Sequence, residues 1–261
     1  MNGQELADYI KQRQAKQVRA LRQHDRTIPK LAIIVIGDNL VIDAYVRKKT
    51  EYASDILVEC EVFNIPVKQV AGKIHELNAD DSVKGILLQL PLSDPTRTDE
   101  LVNLVDPKKD VDGLCENSPF DAATAMAINW LLSGYDIELT GKKIVIVGRG
   151  RLVGAPLQKM WQNSGYNVQT FGRDADLEAE LSDADIIVTA TGVPGLITSE
   201  MVPIGAVVVD AGTASEKGKI IGDVTPGLRD RNDIIITPVI GGVGPLTIAA
   251  LMDNVIRASK N

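Results

Sequence analysis

The chain has 261 residues, a formal net charge of −7, 44% apolar residues and only 4% aromatics. That length fits one or two domains, two slightly better, and suffices to bury a core without staples. The negative balance argues against a nucleic-acid binder, whose footprint is a basic face, and leaves room for a local basic pocket. Cys60 and Cys115 lie far apart, match no metal-ligand spacing and read as reduced thiols. His24 and His75 are the two histidines, so no metal site is expected. The polar, charged N-terminal stretch does not read as a secretory leader. No apolar run reaches the ~18 residues of a membrane span, so a cytoplasmic protein without membrane partners is expected.

In chain order, residues 4–23 are charged and helix-favouring, with Leu6, Ile10, Val18 and Leu21 near one face. Leu31 to Ile36 is a short β-branched run that stops at Gly37-Asp38-Asn39, a strand and its turn. A helix carrying Tyr45 and Lys49 follows, then a strand over Val58 to Phe63. Val67, Val70, Ile74 and Leu77 recur at helical spacing, and Gly85 to Leu90 is a third strand closed by Pro91. A short helix around 98–104 leads into a polar turn from Asp106 to Gly113. This alternation implies a parallel sheet with right-handed crossovers.

A fresh α/β pattern begins after a helix over about 121–133. Lys143 to Val147 is a buried strand that runs into a glycine loop and a helix reaching Ser164. Strands follow at Asn167–Phe171, Asp185–Ala190, Ala206–Asp210 and Asp233–Thr237, and the C-terminus is helical. The expected fold class is therefore α/β, with two α/β domains flanking a cleft, the second a Rossmann-like dinucleotide-binding domain. The expected boundaries are 1–120 with 245–261, and 121–244.

Gly148, Gly150 and Gly154 sit between a strand and a helix, spaced one residue wider than the usual dinucleotide fingerprint. The first permits a tight turn, the second close approach of a pyrophosphate, the third helix packing, and the helix amides face the phosphates. Arg173, just after the second strand, and Arg149, in the loop, suit a 2′-phosphate through bidentate charge-assisted bonds. They favour NADP, whereas Asp174 points towards NAD.

Tyr45 and Lys49 share a helical face. Gln89 is a polar residue in an apolar strand end and needs partners if buried. Asp110 and Asp112 lie on a turn after the third βα unit, and ligands gather at such strand ends.

With Tyr45-x-x-x-Lys49, Gln89-Leu90-Pro91-Leu92, Lys109-Asp110-Val111-Asp112-Gly113, the glycine loop through Gly154-Ala155-Pro156, Gly222-Asp223-Val224 and Gly241-Gly242-Val243-Gly244-Pro245-Leu246-Thr247 in this order, the sequence resembles the bifunctional methylenetetrahydrofolate dehydrogenase/methenyltetrahydrofolate cyclohydrolase family. The resemblance implies that Lys49 is the catalytic acid/base, that Gln89 tunes it, that Tyr45 packs beside the pterin and that Asp112 grips the pterin's N–H edge. Leu90, Pro91, Gly241, Gly242 and Pro245 fall with these as substrate-binding positions. Gly148, Arg149, Gly150, Val153, Gly154, Arg173, Thr191, Gly192, Thr213, Gly244 and Thr247 fall at cofactor positions. Tetrahydrofolate one-carbon derivatives are the implied substrates, NADP the implied cofactor and a homodimer the implied assembly.

The chemistry suits these residues. Hydride loss from the methylene bridge needs positioning more than a strong base. Water addition to the resulting cation moves protons, which a lysine can do if its pKa falls. Burial and neighbouring cations such as Arg47 or Lys48 are expected to push it down.

The sequence departs from the family at Leu40-Val41-Ile42, where a Pro-Ala-Ser is usual, at Ala122-Ala123-Thr124-Ala125, where Pro-Cys-Thr-Pro is usual, and at Ile240, usually proline. About ten residues that the family usually carries after Gly113 are missing by the same resemblance. These departures leave a dehydrogenase-only folate enzyme as an alternative. A further alternative is another NADP dehydrogenase of the same two-domain plan.

Overall fold

The computed structural model describes residues 1–25, 27–37, 40–216 and 219–260. Asp38 and Asn39, expected to close the first strand, lie outside them. The chain divides into two compact units, one of Asp8–Ala123 with Ile248–Asn261, the other of Met1–Ala7 with Thr124–Thr247.

The elements of the first stretch are α1 (Gly3–Ala20), β1 (Lys30–Val35), α2 (Leu40–Asp55), β2 (Glu59–Asn64), α3 (Val67–Ala79), β3 (Gly85–Leu88) and α4 (Thr98–Val102). The three strands form a parallel sheet in the order β2-β1-β3. β1 is central and β3 is an unbroken buried run, the pattern of parallel strands covered on both faces. β2 alternates charged and apolar residues and is largely exposed, as an edge strand can be. Val70, Ile74 and Leu77 on α3 bury their helical stripe against Ile34, Ile86 and Leu88. β3 ends at Leu88 rather than Leu90, and Gln89 keeps one last bond from its amide to the Ile34 carbonyl, 2.9 Å.

The segment expected as a polar turn, Asp106 to Gly113, is not wholly polar in its environment. A single 3-10 turn occupies Pro107–Lys109, while Asp110 and Val111 are buried at 3% and 0% exposure. Val111 packs against Gly85, too close for a β-carbon there. In the same unit, Tyr52 on α2 donates to Gln14 on α1, whose amide donates to the Ala249 carbonyl at 2.8 Å. Buried polar groups thus meet partners in three helices.

The second stretch holds α5 (Ala123–Gly134), β4 (Ile144–Val147), α6 (Gly154–Asn163), β5 (Val168–Phe171), α7 (Leu177–Leu181), β6 (Ile186–Thr189), β7 (Val207–Asp210), β8 (Ala214–Glu216), β9 (Lys219–Ile221), α8 (Pro226–Arg229), β10 (Ile235–Ile236) and α9 (Val243–Ala258). Five strands form a parallel sheet in the order β10-β7-β6-β4-β5, and β8 pairs with β9 antiparallel. β4, β6 and β7 are wholly buried. The chain winds outward from β4 to β5, then returns to build β6, β7 and β10 on the other side. The order therefore reverses between β4 and β6, the switch point at which such sheets bind dinucleotides. Among the described residues no helix is long and apolar enough to cross a membrane.

Candidate active site

α2 places Tyr45 and Lys49 one turn apart, both part-buried. The Lys49 ammonium donates to Gln89 Oε1 at 2.8 Å. The other end of that amide donates to the Leu90 carbonyl at 2.8 Å, so the glutamine is held with its oxygen towards the amine. The Leu90–Pro91 peptide bond is cis. Burial lowers the Lys49 pKa, against the opposing pull of Asp112 and the Cys60 thiol. The neighbouring cations take no part in this, contrary to expectation. Arg47 and Lys48 are exposed, and Arg47 reaches back to Glu51 at 3.9 Å. Side chains one and two positions away point off the face that carries Lys49. Burial alone depresses this amine. Burial also raises the Tyr45 phenol.

Asp112 faces the same amine. Its carboxyl is raised to about 6, first by burial, then by the charge of Asp110, with Lys49 pulling the other way. Of Asp110 and Asp112, only Asp112 belongs to this cluster. Asp110 turns inward and accepts the Cys115 amide at 2.8 Å. Three other groups pin the turn. Lys109 donates to the carbonyls of Leu77, Asn78 and Asp80 at 3.0, 2.8 and 2.7 Å, closing the C-terminus of α3. Asn78 accepts the Asp106 amide at 3.0 Å. Asn254 on α9 donates to the carbonyls of Val111 and Asp121 at 2.9 and 3.0 Å, tying the residue before Asp112 to the segment that leads into α5.

In the other unit the candidate cofactor residues gather at the carboxyl ends of parallel strands. Gly148 ends β4 at φ +115°, and a β-carbon there would sit 2.5 Å from the Ala190 carbonyl oxygen. A β-carbon on Gly154 would collide with the Gly148 carbonyl, whereas one on Gly150 would meet nothing within 4 Å. The outer two glycines are thus required by packing, and the middle one faces open space, as close approach of a pyrophosphate requires. Val153 precedes α6, and the Ala155 amide in its first turn donates to the Gly150 carbonyl at 3.1 Å.

Arg149 lies over the end of β5, donating to the Thr170 carbonyl at 3.2 Å, and Arg173 is exposed just beyond that strand. Both guanidiniums therefore stand at the β5 end. Thr191 and Gly192 follow β6, and Thr213 follows β7, exposed. Gly241 accepts the amides of Gly3 and Gln4 at 2.7 and 3.0 Å, and Gly242 packs under the Pro238 carbonyl. Gly244, Pro245 and Thr247 lie in the first turns of α9, where Thr247 donates to the Val243 carbonyl at 3.2 Å. An open cavity of about 480 Å³ adjoins this segment, lined by Met1, Arg229, Thr237, Pro238 and Ile240 among others. Ile240, in place of the usual proline, is 78% exposed. Among the described residues no cluster of His, Cys, Asp or Glu could hold a metal.

Residues 1–112 match the model of the tetrahydrofolate dehydrogenase/cyclohydrolase catalytic domain, and residues 122–261 match that of the same family's NAD(P)-binding domain. The chain belongs to the tetrahydrofolate dehydrogenase/cyclohydrolase family. A bifunctional protein FolD of Staphylococcus aureus is 36% identical over 275 residues, covering 100% of this chain and 96% of its own. The bifunctional FolD of Campylobacter jejuni superposes with a TM-score of 0.92 at 35% identity, covering 100% of this chain and 98% of its own. The Trypanosoma brucei FolD, solved with NADP and an inhibitor, superposes with a TM-score of 0.92 at 27% identity, covering 100% of this chain and 96% of its own.

Within this tetrahydrofolate dehydrogenase/cyclohydrolase, sequence reasoning had no role for Asn254 or for the clamp made by Lys109. Asn254 carried a faint signal, as an amide beside the apolar run of α9. Lys109 was visible only as part of a motif, and nothing in its spacing named three carbonyl partners.

Proposed function

We propose that this enzyme oxidises methylenetetrahydrofolate to methenyltetrahydrofolate with NADP and then hydrolyses the product to formyltetrahydrofolate. Residues 1–120 with 245–261 are assigned to the folate side and 121–244 to the cofactor side. The observation that carries the reading is the Lys49 amine, depressed by burial and held at 2.8 Å from an amide oxygen whose other end is fixed.

NADP, when bound, would supply the acceptor for the hydride of the methylene bridge. The glycine loop and the start of α6 would hold its pyrophosphate. Arg149 and Arg173 would hold the 2′-phosphate as bidentate donors.

The chain's own groups then handle water and protons. A buried lysine with a lowered pKa carries a larger neutral fraction near neutral pH, so it can take a proton from the water that adds to the methenyl carbon. As an ammonium it can return a proton to the nitrogen that leaves when the ring opens. Gln89 offers only an acceptor to this amine. It therefore orients Lys49 without competing for its lone pair by charge. Asp112 offers two acceptor oxygens to the pterin's N–H edge, and Tyr45 supplies an aromatic face beside it. Cytoplasmic residence, assembly as a homodimer and a place in the supply of formyl groups for purine synthesis belong to the same reading.

The test is a coupled assay of the purified chain on methylenetetrahydrofolate, with NADP and NAD in parallel, following reduced cofactor and the methenyl chromophore together. The expected result is NADP reduction with transient methenyl product. Absence of reduction with either cofactor overturns the proposal, and stable accumulation of methenyl product overturns its hydrolytic half.

A further inference from the structure

Asp223, in the Gly222-Asp223-Val224 motif, has no part in the chemistry above. It is fully buried, at 0% exposure. Its Oδ2 accepts from the Thr189 hydroxyl at 2.8 Å and from the Thr191 amide at 2.6 Å. Its own amide donates to Asp210 Oδ1 at 3.0 Å, which also accepts the Gly212 amide at 3.0 Å. Asp210 pairs in turn with Arg229, and Arg229 donates as well to the Thr237 carbonyl at 2.6 Å. Asp210 is therefore paired with a guanidinium through one oxygen and holds the Asp223 backbone amide through the other. Asp223 Oδ1 is buried without a hydrogen-bond partner. It lies under Gly212, where a β-carbon would strike it.

The place of this cluster in the sheet gives it meaning. The strand order reverses between β4 and β6. The glycine loop on β4 fixes the phosphates, and the two arginines mark the β5 end as the 2′-phosphate side. The other half of a dinucleotide must then run over the ends of β6 and β7. Those ends are Thr191 and Gly212, the two backbone segments that Asp223 and Asp210 hold.

We infer that Asp223 is a positioning residue for the nicotinamide half of the cofactor, and that its buried negative charge favours the oxidised, cationic ring over the neutral reduced one. This rests on the cofactor reading proposed above. A charge in a weakly screened interior acts over several ångströms, whereas the hydrogen bonds act through the shape of the two loops. The two contributions are separable because only the first distinguishes the redox forms.

The experiment is calorimetric titration of NADP+ and NADPH into the wild type, Asp223→Asn and Thr189→Val, without folate. Asparagine can keep its oxygen on Thr189 and Thr191 and place its NH2 where Oδ1 has no partner, so it removes charge with little change of shape. The wild type is expected to bind NADP+ at least as tightly as NADPH. Asp223→Asn is expected to lower the ratio of NADP+ to NADPH affinity about fivefold. Thr189→Val keeps the charge and is expected to weaken both forms by the same factor. An unchanged ratio in Asp223→Asn overturns the inference. So does a wild type that binds NADPH more tightly than NADP+, which decides the matter even where Asp223→Asn does not fold. A wild type that binds neither form sinks the cofactor reading itself, and this inference with it. That outcome is distinct from a binding-competent variant whose ratio does not move.

Discussion

Replacing Asp112 by asparagine tests the electrostatics of the site through stability alone. Burial raises the Asp112 carboxyl from 3.8 to about 6. The folded state therefore keeps the proton to a higher pH than the unfolded chain does. Where the folded state binds more protons, stability falls as pH rises. The wild type should lose stability between about pH 4 and 6 and then level off. A shift of about two pH units corresponds to at most about 3 kcal/mol at neutral pH. The asparagine variant lacks this loss. It should match the wild type near pH 3.5, apart from other carboxylates common to both, and exceed it by up to about 3 kcal/mol at pH 7. Urea unfolding at a series of pH values, with the denaturant slope unchanged, measures the difference directly. If the two proteins lose stability in parallel from pH 4 to 7, Asp112 is not the buried acid that the fold implies.

Gly154→Ala places a methyl against the Gly148 carbonyl. It should cost about 3 kcal/mol in urea unfolding and reduce NADP affinity in titration, because the loop must open to admit it. Asn254→Leu leaves the carbonyls of Val111 and Asp121 without their donor. A loss of about 2–5 kcal/mol should come with a raised KM for the folate substrate as Asp112 loosens. Changing both Arg149 and Arg173 to alanine should weaken NADP binding at least about tenfold while leaving NAD binding within about twofold, read from KM values measured side by side.

β1, β3, β4, β6 and β7 were legible because each is a short aliphatic run that parallel pairing buries. Lys143–Val147 and Asp185–Ala190 needed only their composition. The glycine loop was legible because Gly148 and Gly154 sit where a β-carbon cannot, a constraint that leaves its mark in sequence. The α7 helix and the β8–β9 pair went unseen. Each is too short for periodicity to register. The inward turn of Asp110 and the clamps made by Lys109 and Asn254 were hidden for a different reason. Their partners are backbone groups, an amide for Asp110 and carbonyls for the two clamps, which every residue has, so no residue type signals them. The pairing of Lys49 with Gln89 came from family resemblance, since two residues forty positions apart carry no local sign of it. The cause of the depressed Lys49 pKa was half read. Burial follows from the apolar face of α2, but Arg47 and Lys48 were placed near the amine by numbering, and helical geometry turns them into solvent.

Lys49→Met removes the amine while keeping an unbranched side chain of similar reach. It leaves Gln89 Oε1 unpaired, at about 1–3 kcal/mol, offset by relief of a buried charge, so the circular dichroism spectrum and folding should be retained. Single-turnover hydrolysis of methenyltetrahydrofolate by this variant is the measurement that bears most directly on the site. A rate lower by about a thousandfold or more is the expected result. Hydrolysis at the wild-type rate by a folded Lys49→Met protein would contradict the assignment of proton transfer to this amine.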